Sequence, residues 1–329
     1  METTQYERKL VGRLEEKGLS PSSIQLYLRN LQKINNNQPL KNLGFLKDTD
    51  SVLTFLNKYK ENTHRSFLIA ITSVLQTDQT TAPKKKLYQK YFDLMKEKNR
   101  VLKAQEKSNK ATPEQVANHT PWEQVLQKHE ELKKKVETFQ NKKQLTEEQY
   151  NTLLQYVVLS LYVLTPTRRN LDYQRMVLQG RDEPNLPNYR NYLLWKPKQF
   201  LFRVFKTAKK EGEKREPIPP ALFDVLDMYR RHHPYYKHHP PNKQAKGSVS
   251  TVPLLVDYAG KPLLAINSIT RILNQIFQKR TGSSALRHAY LSSKYGAVLQ
   301  EMKDDADAMS HSLETQKNYI IYPEPPAKK

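Results

Sequence analysis

The segment 145–164 constrains the fold of this chain more than any other part of it. It reads LTEEQYNTLLQYVVLSLYVL, and its second half, 156–164, is the longest apolar stretch in the sequence. A stretch this short does not span a membrane. Thr146 is placed to cap a helix, with Glu147 and Glu148 in the first turn. The segment therefore predicts a helix buried inside a globular domain.

The first eighty residues carry apolar side chains at helical spacing, which predicts a compact all-helical module. Gly18 is placed at the end of one helix, where glycine readily adopts the left-handed conformation. Ser20 and Pro21 then suit the N-cap and the first position of the next helix. Two more helices are predicted before residue 80. We expect residues 1–104 to form this first domain.

A lysine-rich segment, 83–143, follows this module and is interrupted by two Thr-Pro pairs. We predict a linker at residues 105–120 and a second domain at residues 121–329. Residues 190–218 change to the alternation typical of short antiparallel strands joined by a charged hairpin. Further helices are predicted at residues 220–231, 266–279, 285–295 and 306–319. The expected fold class is mainly α with a small antiparallel β-sheet.

The net charge of +22 predicts a polyanionic partner, and nucleic acid is the commonest one. The alternative is a merely basic surface, because any single lysine in such runs is usually just solvated. Taken together, the basic residues fit contacts to DNA phosphates. The predicted DNA-binding residues are Lys84, Lys85, Lys86, Arg100, Lys209 and Lys210.

Several classes of function are disfavoured by what the sequence lacks. It has no cysteine, which excludes thiolate nucleophiles and cysteine-ligated metals, and no glycine-rich phosphate loop. We interpret the histidine pairs in 230–241 as a basic loop at DNA and the acids of 304–307 as charges at the N-terminus of a helix, so no metal or cofactor is expected. METTQYERKL lacks an apolar signal region, which predicts an intracellular protein that is not secreted. Host nucleus, cytoplasm and virion remain open as compartments.

Four separated segments supply the groups that phosphodiester transfer needs without a metal. They read TPTRRNLDY, FKTAKK, SSALRHAY and MSHSLETQKNYIIY. The transition state spreads negative charge over the phosphoryl oxygens, which forked arginine donors stabilise. The reaction also needs a nucleophile, a base, and an acid for the leaving oxygen.

In this order, the four segments resemble the motifs of the tyrosine recombinase (phage integrase) family. GLSPSSIQLYLRNLQKI is similar to the start of that family's helical, SAM-like core-binding domain. The resemblance thus covers nearly the whole chain. It implies an N-terminal core-binding domain and a tyrosine recombinase catalytic domain. The residues matched to the family's catalytic set are Arg169, Lys206, Arg287, His311 and Tyr319.

The resemblance also implies a mechanism. Tyr319, assisted by His311, would attack a DNA phosphorus and form a 3′-phosphotyrosyl link. Arg169 and Arg287 would hold the non-bridging oxygens, and Lys206 would protonate the leaving 5′-oxygen. The partner would be double-stranded DNA, bound by a homotetramer on two duplexes, with no membrane, metal or ATP. The expected role is site-specific recombination, including integration of a virus or mobile element.

The sequence departs from the family pattern in ways that keep alternatives open. Ser284 stands where the family has a histidine, and His288 is interpreted as structural. Arg168 is the alternative to Arg169, which is favoured because Asp172 follows it by one helical turn and is expected to orient it. The His311–Tyr319 interval is eight residues where nine is usual, and a second tyrosine, Tyr322, follows. The alternative functions are a type IB-like topoisomerase or telomere resolvase, and a non-catalytic DNA-binding protein suggested by the serine.

Overall fold

The computed structural model describes residues 3–107, 113–235 and 247–321. The chain divides into two compact units, Met1–Thr112 and Pro113–Lys329. This boundary falls within the predicted linker, residues 105–120. The described part of that segment is largely helical, because one helix extends into it from the first unit and a short one begins the second.

The first unit is all-helical, as predicted. Its elements are α1 (Gln5–Glu16), α2 (Pro21–Ile34), a 3-10 helix (Gly44–Lys47), α3 (Thr49–Leu56), α4 (Glu61–Leu75) and α5 (Ala82–Lys107). The predicted cap is confirmed at Ser20, whose hydroxyl accepts from the amide of Ser23. Gly18 is confirmed as the residue that ends α1, with a φ of 74°. The amide of Leu19 then bonds back to the carbonyl of Leu14, which satisfies the helix end.

A buried carboxylate, Glu7, ties the first unit together. It is 2% exposed and accepts hydrogen bonds from the amides of Thr4 and Leu40 and from the side chain of Gln32. These donors belong to the start of α1, to the loop after α2, and to α2 itself. Glu7 therefore stabilises the packing of the first two helices through three hydrogen bonds.

The second unit is built around α8. Its elements are α6 (Pro113–Asn118), α7 (Trp122–Glu137), α8 (Glu147–Val163), α9 (Asn170–Gln174), β1 (Val177–Arg181), β2 (Tyr192–Lys196), β3 (Gln199–Phe202), α10 (Ala208–Glu211), β4 (Lys214–Pro217), α11 (Pro220–His232), α12 (Ser268–Phe277), α13 (Ser283–Ala308) and α14 (Leu313–Tyr319). Helices α7, α11 and α12 pack against α8. Thr146 caps it in a capping box with Gln149. The predicted buried helix is thus confirmed.

The sheet is mixed, so the predicted antiparallel sheet was wrong for one pair of strands. Its order is β1-β2-β3-β4; β1 and β2 run parallel, and the other two pairs are antiparallel. The three strands within the predicted segment 190–218 are antiparallel to one another, as expected, whereas the parallel strand β1 lies outside that segment and was not predicted. The connection 182–191 is long enough to return the chain along a five-residue strand, since extended chain spans about 3.3 Å per residue.

The last two helices differ from the prediction in their bounds. The sequence predicted helices at 285–295 and 306–319, whereas α13 runs without a break from Ser283 to Ala308. The intervening residues are mostly good helix formers, which outweigh the cost of Gly296. The break comes at Ser310, whose φ is 57°, and the amide of His311 bonds back to the carbonyl of Ala306. Among the described residues, no helix has the length and apolar character required to cross a membrane.

Candidate active site

Arg168 is held by protein groups on several sides. Its Nε donates to the Asp172 carboxylate at 3.1 Å and its Nη1 to Glu216 at 2.6 Å. The guanidinium also lies 3.7 Å from the centre of the Phe202 ring. The prediction that Asp172 orients Arg169 was therefore wrong. The carboxylate pairs with Arg168, which lies four residues before it, because α9 begins only after Arg169.

Arg169 and Arg287 form the central feature of the site. Arg169 is the half-buried N-cap residue of α9, and Arg287 lies in the second turn of α13. Neither guanidinium has a hydrogen bond or an ion pair with the residues that the structure describes. The Nε of Arg287 is buried and without a partner there. The two side chains thus present unused donors, of the kind that bind a phosphate.

The electrostatics of this arginine pair favour an anion. Burial, and then the positive charge of Arg169, lower the pKa of Arg287, although an arginine remains protonated at neutral pH. The nearby Asp172 offsets the charge of the pair only in part, since its hydrogen bond and ion pair are with Arg168. Burial raises the pKa of Asp172, and the neighbouring arginines oppose this effect. An anion held between the two guanidiniums would relieve their mutual repulsion.

A buried hydroxyl beneath the pair was not predicted from the sequence. Tyr162 donates to Asn170 at 2.7 Å, and the Asn170 amide donates to Thr270 at 2.9 Å. This chain of hydrogen bonds joins α8, α9 and α12 directly beside Arg169. Burial raises the pKa of Tyr162 well above its ordinary value, so the phenol stays neutral. The Tyr162 hydroxyl helps to position α9. The only signal for it in the sequence was that its partner, Asn170, is next to Arg169.

Lys206 lies in the connection between β3 and β4, in the turn before α10. The predicted charged hairpin is thus confirmed, with a short helix inserted in it. Lys206 is exposed and has no ion pair with a described residue. Lys209 and Lys210 follow on α10 and are also exposed. The preceding residue, Phe205, packs against the core and lies 5.5 Å from the Arg168 guanidinium, so the turn starts close to the arginine segment.

The structure brings His311 and Tyr319 together. Their ring centres are 5.7 Å apart, and the imidazole Nδ1 donates to the carbonyl of Met309 at 3.3 Å. The other imidazole nitrogen, Nε2, is buried without a partner among the described residues, as is the Gln316 Oε1. These residues line an open pocket with Ile320. Tyr319 is 72% exposed, so its hydroxyl is accessible to a large substrate.

The arginine pair and the His311–Tyr319 pair lie at opposite ends of α13. From Arg287 to Ala308 the helix rises about 30 Å, at roughly 1.5 Å per residue. Helix α14 packs mainly against α13. The structure therefore assembles two halves of the predicted catalytic set, with Lys206 near the arginine segment, and it does not join the halves.

The remaining predicted residues have varied surroundings. Ser284 and His288 are exposed in the first turns of α13, so His288 is not a packing residue as interpreted. Lys84 forms an ion pair with Asp78 at 2.8 Å, and Arg100 pairs with Glu97 at 2.7 Å, whereas Lys85 and Lys86 are exposed. Surface ion pairs of this kind are worth about 0–1 kcal/mol and exchange readily for phosphate contacts. Tyr322 lies outside the described residues.

The first histidine pair belongs to the protein framework and not to a loop. His232 ends α11 and donates to the carbonyl of Gln140, and His233 is fully buried and donates to the carbonyl of Pro253. Burial lowers the pKa of His233 to about 4, so it is neutral at physiological pH. Residues 236–246, with the second histidine pair, lie outside the described part. Within that part, no cluster of three or more histidine or acidic side chains is arranged to hold a metal ion.

Comparisons with known proteins give no relative. No protein-family model matches the chain, and no curated protein or solved structure is significantly similar to it. The resemblance to tyrosine recombinases therefore rests on the four sequence motifs, and the site must be argued from its own geometry.

Proposed function

We propose that the protein is a DNA strand transferase of the tyrosine recombinase type. It would cleave and rejoin double-stranded DNA through a 3′-phosphotyrosyl intermediate, without metal or ATP. The observation that carries this proposal is the pairing of Arg169 with Arg287, which have no partners among the described residues. The two like charges repel each other, and a phosphate bound between them would offset that repulsion.

In the proposed reaction, the two guanidiniums donate to the non-bridging oxygens of one phosphate. They stabilise the charge that develops on those oxygens in the transition state. Tyr319 is the nucleophile, and His311, whose ring lies 5.7 Å from that of Tyr319 and whose Nε2 has no partner among the described residues, accepts its proton. Lys206 protonates the departing 5′-oxygen. The phosphotyrosyl bond conserves the energy of the phosphodiester, so rejoining requires no nucleotide.

The chemistry requires Tyr319 to reach the phosphate that Arg169 and Arg287 bind. In the active complex, α14 of the same or of a neighbouring protomer must therefore approach the arginine pair. A homotetramer on two duplexes, as the family resemblance implies, would allow either arrangement. The net charge of +22 supports a DNA complex of this size.

A suicide duplex tests the proposal. It carries a nick close to the cleavage site, so that a short fragment diffuses away and traps the covalent adduct. Wild-type protein should form an adduct that resists denaturant and chelator, whereas Tyr319→Phe should form none. Since the target sequence is unknown, a pool of nicked duplexes with random flanks serves as the substrate. An adduct that depends on a divalent metal would contradict the mechanism.

The second candidate is a non-catalytic DNA-binding protein. The separation of Tyr319 from the arginine pair along α13, together with Ser284 in place of a histidine, favours it. It predicts salt-sensitive binding of duplex DNA and no covalent adduct under any condition. A type IB-like topoisomerase or telomere resolvase would form the adduct as well. Relaxation of supercoiled plasmid by monomeric protein, without a preferred site, would favour the topoisomerase over the recombinase.

A further inference from the structure

Asn191 is a buried asparagine whose side chain bonds only to backbone. It is 4% exposed and precedes β2. Its Nδ2 donates to the carbonyls of Asp172 and Val204, both at 2.9 Å. Its Oδ1 accepts from the amides of Arg203 at 2.8 Å and Val204 at 2.7 Å. Two carbonyls on one side and two amides on the other determine which atom is nitrogen, and the full bonding capacity of the amide is used.

The four hydrogen bonds connect the segment that carries Arg169 with the segment that carries Lys206. Asp172 lies in α9, three residues after Arg169, and Val204 lies two residues before Lys206. The backbone carbonyl of Asn191 also accepts from the amide of Val177 at 2.9 Å, which fixes this residue to the first strand. One side chain therefore sets the separation between the arginine segment and the start of the lysine turn.

We propose that Asn191 is a positioning residue for the leaving-group acid, and this proposal rests on the proposed strand-transfer function. In that reaction the bond from Tyr319 Oη to phosphorus forms while the bond from phosphorus to the 5′-oxygen breaks. The electron pair leaves on the 5′-oxygen, which takes a proton from the Lys206 ammonium, and the phenol proton passes towards His311. Proton transfer requires the ammonium within hydrogen-bond reach of that oxygen. Asn191 holds the turn in the position that places the Lys206 ammonium within this reach.

A substrate with a 5′-bridging sulfur separates this role from a general loss of structure. When sulfur replaces the 5′-oxygen at the cleaved bond, it leaves as a thiolate, whose conjugate acid has a pKa of about 8.5 and needs no proton at neutral pH. A misplaced Lys206 therefore does not slow cleavage of the sulfur substrate. A defect in folding, in DNA binding or in the arginine pair slows cleavage of both substrates alike.

The test measures single-turnover rates of adduct formation on the oxygen and sulfur duplexes. Asn191→Asp removes the two donors from a nearly isosteric side chain; Asn191→Ser is the second variant, because its short hydroxyl introduces no buried charge. A misplacement of about 1 Å costs on the order of 100-fold. We expect that loss on the oxygen duplex and a rate within about tenfold of wild type on the sulfur duplex. Lys206→Ala should behave in the same way.

Gln179→Glu is the matched control, because Gln179 is a buried amide of the same sheet that bonds to the backbone of residues 248 and 250. Gln179→Glu should slow cleavage of both duplexes by the same factor, or slow neither. Arg169→Ala should slow both. Equal losses on the two substrates for both Asn191 variants, or no loss on the oxygen duplex, would overturn the positioning role. If wild-type protein forms no adduct on either duplex, the proposed function itself has failed.

Discussion

Arg168 and Arg169 are sequence neighbours of the same type with opposite surroundings. Arg168 precedes the turn into α9 and is bound by Asp172 and Glu216, whereas Arg169 caps that helix and has no such bonds with the described residues. An arginine that is already saturated by carboxylates has few donors left for a phosphate. This difference assigns Arg168 to the framework, and under the proposed function it leaves Arg169 to bind the phosphate.

Stability should separate the two arginines. Arg168→Ala leaves the buried Asp172 carboxylate without its partner, and we expect it to lower the free energy of unfolding by about 3 kcal/mol. Arg169→Ala removes no bond to a described residue and should change that free energy by less than about 0.5 kcal/mol. Urea denaturation at neutral pH measures both. Equal losses for the two variants would show that Arg169 is also a framework residue.

Glu7 should make the first unit sensitive to acid. Burial raises its pKa, and the hydrogen bonds from Leu40, Thr4 and Gln32 lower it by more, so that the net pKa lies below the ordinary value of 4.5. Its contribution is therefore fully present above pH 4.5 and is lost as the pH falls through the lowered pKa. Glu7→Gln should be less stable than wild type near pH 7, and the difference should shrink below about pH 4.5.

Urea denaturation of both proteins between pH 3 and pH 7 measures this difference. Hydrogen exchange in α1 then shows whether the loss of stability lies in the first unit. Because the other carboxylates titrate in both proteins, their effect cancels in the difference between the two free energies of unfolding. A gap between wild type and Glu7→Gln that is constant across the whole range would contradict the account.

At the scale of single residues, the sequence pointed to candidate residues but did not reveal which groups they bind. The acid spacing favoured Arg169, which stays a prediction, but it wrongly predicted that Asp172 would bind Arg169, since Asp172 pairs with Arg168. Asn191 and Glu7 were not predicted at all. Asn191 bonds to backbone groups distant in sequence, and Glu7 bonds to the distant residues Gln32 and Leu40, so no local pattern marks these contacts. Only the bond between Thr4 and Glu7 is local.

At the scale of elements, local signals predicted what they physically determine. The caps at Ser20 and Thr146 and the glycine at the end of α1 were correct, because capping is decided within a few residues. Strand β1 was not predicted, and its direction relative to β2 depends on tertiary packing, so the alternation within 190–218 could not reveal it. The continuity of α13 was missed because its second half is mostly exposed and has no apolar face turned to the core.

Gly296 is the weakest point of α13. A Cβ added there meets nothing within 4 Å. Gly296→Ala should therefore stabilise the helix by about 0.5–1 kcal/mol. Hydrogen–deuterium exchange at residues 291–305 should slow by about two- to fivefold, as that free energy requires. Gly12→Ala in α1, which also meets nothing within 4 Å, should slow exchange in its own helix only. Unchanged exchange around Gly296 would contradict a continuous α13.

At the scale of the whole molecule, the net charge of +22 is the basis for proposing a DNA partner. If the exposed lysines contact phosphates, the logarithm of the DNA association constant should fall linearly with the logarithm of salt concentration. Replacing both Lys85 and Lys86 by alanine should reduce that slope by about 2, since each lost phosphate contact removes about 1. Fluorescence anisotropy with a labelled duplex measures it. A slope near zero for wild-type protein would contradict phosphate-dominated binding.

The proposed site is divided along one long helix, with the arginine pair at its start and His311 and Tyr319 beyond its end. The sequence motifs predicted all of these residues, but their order in the chain does not determine how they meet. Under the proposed function, DNA or another protomer would have to bring Tyr319 to the bound phosphate.

The most direct measurement is to identify the residue that becomes linked to DNA. Protein incubated with nicked duplexes is digested with protease and nuclease, and the peptide that carries a nucleotide is sequenced by mass spectrometry. The account predicts a phosphotyrosyl bond to the 3′ end of the DNA at Tyr319, absent from Arg169→Ala and Arg287→Ala. A modification at Tyr322, or an adduct that persists when both arginines are replaced, would contradict it.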